Sequence, residues 1–189
     1  DLNYTTGLME NLLHWVKSQM DAAGIYPQRL DMRMIAEDVI NVQQLQASSK
    51  NISISCSVAK HCSVYADKDM VKLILRNLLS NAIKFTPVRG KINIHLGPEG
   101  DFCKVSVTDN GIGMDEESIA CIHQQNYYST NGTAKESGTG LGLMLCKDFV
   151  TRNGGSLHIE SKPGKGSTLS FTLPMDPNGK AILHQTASL

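Results

Sequence analysis

Apolar positions change period several times along the chain, and each change marks an element. From about Thr6 to Met20, Leu8, Leu12, Leu13, Trp15, Val16 and Met20 recur at the spacing of an amphipathic helix, which Gly24 and Pro27 close. A second helical pattern follows Asp31, with Met34, Ile35, Val39, Val42 and Leu45 read as its inner side. Period-two runs come next, and "NISISCSV" and "SVYA" predict strands. "DKDMVKLILRNLLSNAIKFTP" predicts a long helix closed by Pro87, and "KINIHL" and "FCKVSVTD" predict a hairpin about "GPEGD". Between Gly113 and Gly140 periodicity is lost in Ser, Thr, Asn and Gly, the pattern of a functional or disordered loop. A helix over about Leu141 to Arg152, stopped by Asn153, Gly154 and Gly155, is followed by strands "SLHIES" and "STLSFTL". The final "MDPNGKAILHQTASL" is patternless and reads as a tail or linker. Such irregular alternation predicts a two-layer α/β sandwich rather than a regular βαβ array.

Composition narrows the partners. Lys plus Arg and Asp plus Glu both number 18, so the formal net charge is zero, and no basic run or aromatic strip marks a nucleic-acid surface. Nothing approaches the roughly 20 apolar residues that would span a bilayer. Cys56, Cys62, Cys103, Cys121 and Cys146 are scattered, with no C-x-x-C pair, which predicts reduced thiols rather than a disulfide framework or a zinc site. The chain opens on Asp1 rather than Met, and a piece of a longer protein is expected. A Walker-type phosphate loop is absent from the sequence.

Three stretches carry candidate chemistry. On the long helix, Asn77, Asn81 and Lys84 fall within roughly 60° of one another at about 100° per residue, beside a stripe of Val71, Ile74, Leu75, Leu78, Ala82 and Phe85. Amide oxygens suit a hard cation and a lysine suits phosphate as a point charge; a plain polar edge is the other reading. In "VSVTDNGIGM", Asp109 continues the inward parity of Cys103, Val105 and Val107. An inward carboxylate is costly unless something donates to it, and Asn110, Gly111 and Gly113 allow a flat ligand to approach the backbone; a strand ending in an Asn-Gly turn is the alternative. Finally, "ESGTGLGL" places bare backbone at the mouth of a helix, where N–H groups and the helix dipole favour an anion or a tight turn needs glycine. Taken together, the three supply what an adenine, a magnesium ion and a polyphosphate require.

These residues, in their order, resemble a known family. "NLLSNAIKFTP" looks like the asparagine box of the ATP-binding catalytic domain of bacterial sensor histidine kinases, "DNGIGM" its first glycine box, "GTGLGL" its second, and "GKGSTLSFTLP" its closing glycine-bearing strand. That family shares an ATPase superfamily with gyrase, MutL and a chaperone class, and the matching region covers about Leu30 to Pro174. The resemblance implies an α+β fold of the Bergerat type, a mixed sheet packed on about three helices, with an N-terminal helix. The implied domains are 1–24 as the end of a dimerisation helix, 25–175 as the ATP-binding catalytic domain, and 176–189 as tail or linker.

Implied roles follow residue by residue. Asp109 would accept from the adenine amino group, with Gly111 and Gly113 lining the base pocket. Asn81 would coordinate Mg²⁺ bridging the phosphates, Asn77 would serve the same site one turn earlier, and Lys84 would contact phosphate; Asn77 and Lys84 are the implied catalytic residues. Gly138, Thr139, Gly140, Leu141 and Gly142 would form the hinge and cradle of a mobile lid, with Tyr128 packing its base. Either Ser167 or Thr168 would support the adenine side. ATP and Mg²⁺ are the implied cofactors. A phosphoacceptor histidine on the protein's own dimerisation helices and a response regulator's receiver domain are the implied partners, in a full-length homodimer whose cytoplasmic catalytic domain serves a membrane-bound sensor. The alternative is a nucleotide-binding regulatory module without transfer activity.

One position is chemically informative. Hydrolytic members of the superfamily carry a glutamate four residues before the metal-binding asparagine; here that place is Asn77, which cannot take a proton near neutral pH. Slow hydrolysis and transfer to a better-placed nucleophile are therefore expected. His14 lacks the acidic neighbour and proline of the acceptor motif, so the chain is not expected to phosphorylate itself in cis. Ile122 stands where the family's lid usually carries a phenylalanine.

Overall fold

Alternation along the central strands decides the layering. Ile92, Ile94 and Leu96 share one face of β4 (Lys91–Glu99), and Cys103, Val105, Val107 and Asp109 share one face of β5 (Phe102–Asp109); all seven are buried. The computed structural model describes residues 25–60, 62–123, 132–134 and 141–176. Within them a five-stranded sheet runs in the order β2-β4-β5-β7-β6, where β2 is Ser53–Val58, β6 Leu157–Lys162 and β7 Gly166–Pro174. β2 pairs parallel with β4 and every other ladder is antiparallel. β7, the last strand among the described residues, is thus an interior strand. A separate two-stranded ribbon pairs β1 (Pro27–Asp31) with β3 (Ser63–Asp67).

Four helices accompany the sheet among the described residues: α1 (Met32–Ser49), α2 (Lys68–Phe85), α3 (Glu116–His123) and α4 (Gly142–Arg152). Both long helices start on an aspartate whose carboxylate satisfies otherwise orphaned N–H groups, a device that typically contributes about 1 kcal/mol. Asp31 accepts from Arg33 N at 2.9 Å, and Asp67 accepts from Asp69 N and Met70 N at 3.0 and 3.1 Å. Asp67 also ties α2 to α4. Its own N–H donates to Asn153 Oδ1 (2.8 Å), while Asn153 Nδ2 donates to Phe149 O at 2.8 Å, so the start of α2 is locked to the end of α4.

The mixed α+β architecture meets the expectation, with differences in detail. The first strand, "PQRLD", carries no alternation of its own and is held by its ladder to β3 rather than by a pattern. The fourth helix, Glu116–His123, lies in the stretch read as a loop; eight residues are too few to show a period. On α1, Ile35 and Val39 are buried as expected, together with Met32, Ala36, Gln43 and Ala47. Met34, Val42 and Leu45 instead face outward, 65%, 75% and 84% exposed. The inner face thus runs along Met32, Ile35, Ala36, Val39, Gln43 and Ala47, spaced three and four apart, rather than along the largest apolar side chains. Met175 bridges Val64, and the buried Asp176 pairs with Arg29 at 3.1 Å, so the packed domain extends through the first residue of the expected tail. The segments 1–24 and 177–189 lie outside the described residues.

Candidate functional site

The site grows from the C-terminal end of β5. Asp109, 5% exposed, is opposite Ile92 on β4 and Ser167 on β7, so the pleat points its carboxylate inward beside the last strand. Oδ1 accepts from Gly111 N (2.8 Å) and Ser167 N (3.3 Å). No group among the described residues donates to Oδ2. Burial pushes the Asp109 carboxyl above the ordinary carboxylate range, and the two backbone N–H groups pull it part of the way back.

Close backbone packing shapes the wall of this pocket. A Cβ on Gly111 would sit 2.4 Å from Phe85 O and 2.6 Å from Asp109 Oδ1. Gly113 has φ +69°, and a Cβ there would meet Lys162 O at 1.9 Å. The loop after β5 therefore lies directly on the end of α2 and on the β6–β7 turn, held by Ile112 N to Phe85 O (3.2 Å) and Gly164 N to Ile112 O (2.7 Å).

α2 brings the polar edge to the same region. Asn77 and Asn81 are half-buried and Lys84 is buried, with its ammonium 4.6 Å from the Phe85 ring centroid. Asn77 Nδ2 is enclosed and meets no oxygen or nitrogen acceptor among the described residues, with the Cys146 thiol as a weak neighbour, a situation that an incoming oxygen acceptor would relieve. Beside it begins α4: a Cβ on Gly142 would touch Asn77 Oδ1 at 3.4 Å, and the N-cap, Leu141, offers no side-chain hydrogen bond to the helix's free N–H groups. Residues of the first and third chemical stretches thus meet, one supplying amide groups and the other a helix N-terminus, whose dipole suits an anion. The neighbouring Cys146 thiol is pushed up to about 12 by burial, with the Asn77 amide acting against that shift, so it stays a neutral filler at physiological pH.

Among the described residues no group of three or more His, Cys, Asp or Glu could hold a metal ion. The donor set here is carboxamide oxygen, which fits a hard cation whose remaining ligands come from phosphate and water.

Register separates Ser167 from Thr168. Ser167 faces Asp109, whereas Thr168 pairs with Thr108 on the opposite face of the sheet, their hydroxyls 3.0 Å apart, because successive strand residues point to opposite faces. Ser161 was not anticipated. Its hydroxyl accepts from Met114 N (2.8 Å), lies 3.0 Å from Gly166 O and 2.8 Å from Ser167 Oγ, and so fixes the serine beside Asp109. Only the ladder between β6 and β7 brings the two together, and neither residue's local pattern signals it. Tyr128, Gly138, Thr139 and Gly140 lie outside the described residues; Ile122 lies in α3.

Residues 66–177, more than half of the chain, match the family described as Histidine kinase-, DNA gyrase B-, and HSP90-like ATPase. The chain belongs to that family. A similar relative is the Non-motile and phage-resistance protein of Caulobacter vibrioides, 35% identical over 180 residues that make up 93% of this chain and 21% of that protein. The Adaptive-response sensory kinase SasA of Synechocystis is 30% identical over 89% of this chain and 44% of its own length. The chain thus spans less than half of these curated relatives. Among solved structures, the nucleotide-free catalytic domain of histidine kinase ThkA superposes with a TM-score of 0.70 at 26% identity, covering 82% of this chain and 99% of that one. The fold is that of a histidine-kinase ATPase domain, and its family membership carries ATP binding as the general class.

A pH dependence follows from Asp109. An ionised Asp109 accepts more strongly than a protonated one, so if it receives an adenine amine its protonation matters, and its proton is held above the ordinary value of 3.8. Affinity for an adenine nucleotide should therefore fall as pH drops through a window lying above 3.8, and each binding event in that window should release a proton. Titration of a fluorescent ATP analogue across that range in two buffers of different ionisation enthalpy checks both statements.

Proposed function

We propose that this domain binds ATP with Mg²⁺ and delivers the γ-phosphoryl group to a histidine on the dimerisation helices of a sensor kinase, for relay to a response regulator's receiver domain. The observation that carries the reading is the buried Asp109 carboxylate, one oxygen held by backbone and the other receiving no donor among the described residues, on a loop packed against the end of α2, the helix that bears Asn77, Asn81 and Lys84. Asp109 Oδ2 accepts from the exocyclic amine, and Gly111, Gly113 and Ser167 line the base. Asn81 supplies an oxygen to the metal. Asn77 and the N–H groups at the start of α4 beyond Leu141 and Gly142 receive phosphate oxygens, and Lys84 adds positive charge nearby. When bound, Mg²⁺ neutralises charge on the phosphates and orients them. No residue at position 77 can deprotonate a water, so the domain's contribution is positioning and charge neutralisation rather than general-base hydrolysis.

Two measurements test this reading. Calorimetry with ATP should register binding that weakens on chelation of Mg²⁺. Incubation with γ-labelled ATP and a separately supplied histidine-bearing helical hairpin should label the hairpin in an alkali-stable, acid-labile bond while free phosphate accumulates slowly. No heat with nucleotide, or fast phosphate release with no label on the hairpin, would overturn it.

A further inference from the structure

Lys50 is the C-cap of α1, yet its ammonium is buried at 7% exposure and reaches a different helix. Nζ donates to Ile83 O at 2.8 Å and Lys84 O at 3.0 Å, both in the last turn of α2, and to Thr133 Oγ1 at 2.6 Å. Thr133 in turn donates its N–H to Lys84 O (3.0 Å), and its hydroxyl lies 3.1 Å from Lys84 O and 3.0 Å from Thr86 O. The last four carbonyls of a helix have no partners within it. Here each is taken: Ala82 O by Thr86 N, Ile83 O by Lys50, Lys84 O by Lys50 and Thr133, and Phe85 O by Ile112 N of the loop that follows Asp109.

A buried ammonium needs compensation, and the negative end of the α2 dipole supplies part of it. A simple helix cap would need only the two carbonyls. The third bond, to Thr133, joins a segment distant in sequence at the point where the helix bearing Asn77, Asn81 and Lys84 meets the loop bearing Gly111 and Gly113. Thr133 lies on the chain between α3 and α4, a few residues before the "GTGLGL" motif.

We propose that Lys50 is a positioning residue for the nucleotide site: through Thr133 and the end of α2 it holds the phosphate-facing helix, the base-facing loop and Thr133 in one geometry. This rests on the nucleotide-binding reading above. Lys50 touches no nucleotide in this scheme; it acts through Lys84, Phe85 and Thr133.

The test uses the full chain and a fluorescent ATP analogue with Mg²⁺. Lys50→Met removes the whole knot and lowers the melting temperature, so Thr133→Val and Thr133→Ser carry the argument, because Thr133 is an exposed residue. Thr133→Val should weaken binding roughly three- to tenfold with the melting temperature nearly unchanged, and Thr133→Ser, which keeps the hydroxyl, should bind as the parent does. In the Thr133→Val background Lys50→Met should weaken binding less than it does in the parent chain, since the two share one contact. A purely structural cap would give additive losses of affinity and no loss for Thr133→Val alone. Equal affinity of the parent and Thr133→Val, both binding, overturns this proposal and leaves the functional reading standing. A parent chain that binds no nucleotide removes both.

Discussion

Replacing Asp109 by asparagine should weaken ATP binding by roughly ten- to a hundredfold, the expected loss for a hydrogen bond to a charged acceptor. Asparagine keeps an oxygen that can accept from Gly111 N and Ser167 N as Asp109 Oδ1 does. It then turns an NH₂ group, a donor, toward the adenine amine, another donor, so the variant loses an acceptor and gains a repulsion. Its effect on the unliganded fold has the opposite sign. Because burial holds the Asp109 carboxyl above its ordinary value, keeping it ionised at neutral pH costs folding free energy, a cost relieved as pH falls toward 3.8. Asp109→Asn should therefore melt no lower than the parent at neutral pH, while its residual binding loses the acid dependence expected of the parent. Paired melting and binding curves check this. A variant that melts early and binds weakly would instead point to a broken pocket.

Gly166→Ala should be the more damaging change to the fold. Gly166 has φ +85°, and a Cβ there would sit 2.0 Å from Asp109 O and 2.9 Å from Asn110 Cα. Neither is the end of a flexible side chain, so β7 and the end of β5 must separate, and the Ser167–Asp109 contact separates with them. A loss of about 2–4 kcal/mol in urea unfolding is expected, from backbone strain and displacement together. Gly164→Ala is the control. Its φ is +72°, but nothing lies within 4 Å of the added carbon, so it should cost only the left-handed penalty of about 1–2 kcal/mol. Equal losses for the two variants would mean that close approach to Asp109 contributes nothing.

What the sequence disclosed and what it withheld divide along physical lines. Asp109, Gly111, Gly113, Asn77, Asn81 and Lys84 were legible because each lies in a short stretch whose spacing states its own geometry: strand parity for Asp109, helical angle for the other polar three. The central strands were legible for the same reason. β1 was missed because its order comes from β3, and α3 because eight residues with Ile119 and Ile122 spread over one turn do not make a period. On α1 the larger side chains misled: Ala36, Gln43 and Ala47 continue the buried face of Met32, Ile35 and Val39 while Met34, Val42 and Leu45 are exposed, because tertiary packing, not side-chain size, set the helix's rotation. Ser161 and Lys50 have no local signal at all, because their partners lie on other elements. Ser167 and Thr168 are equivalent in the sequence, and only the β5–β7 register shows that Ser167 shares a face with Asp109 and Thr168 does not.

The position of β7 bears on how the domain emerges from the ribosome. This strand enters the sheet between β5 and β6 and contributes Phe171 and Leu173, both fully enclosed. A nascent chain ending at β6 has made most of its apolar surface but leaves the flank of β5 open, with a row of unpaired N–H and C=O groups beside Val105 and Val107. Synthesis arrested in that window should therefore yield a species prone to edge-to-edge association and dependent on chaperones, whereas a chain extended through Pro174 can close its sheet and Asp109 can gain its contact to Ser167.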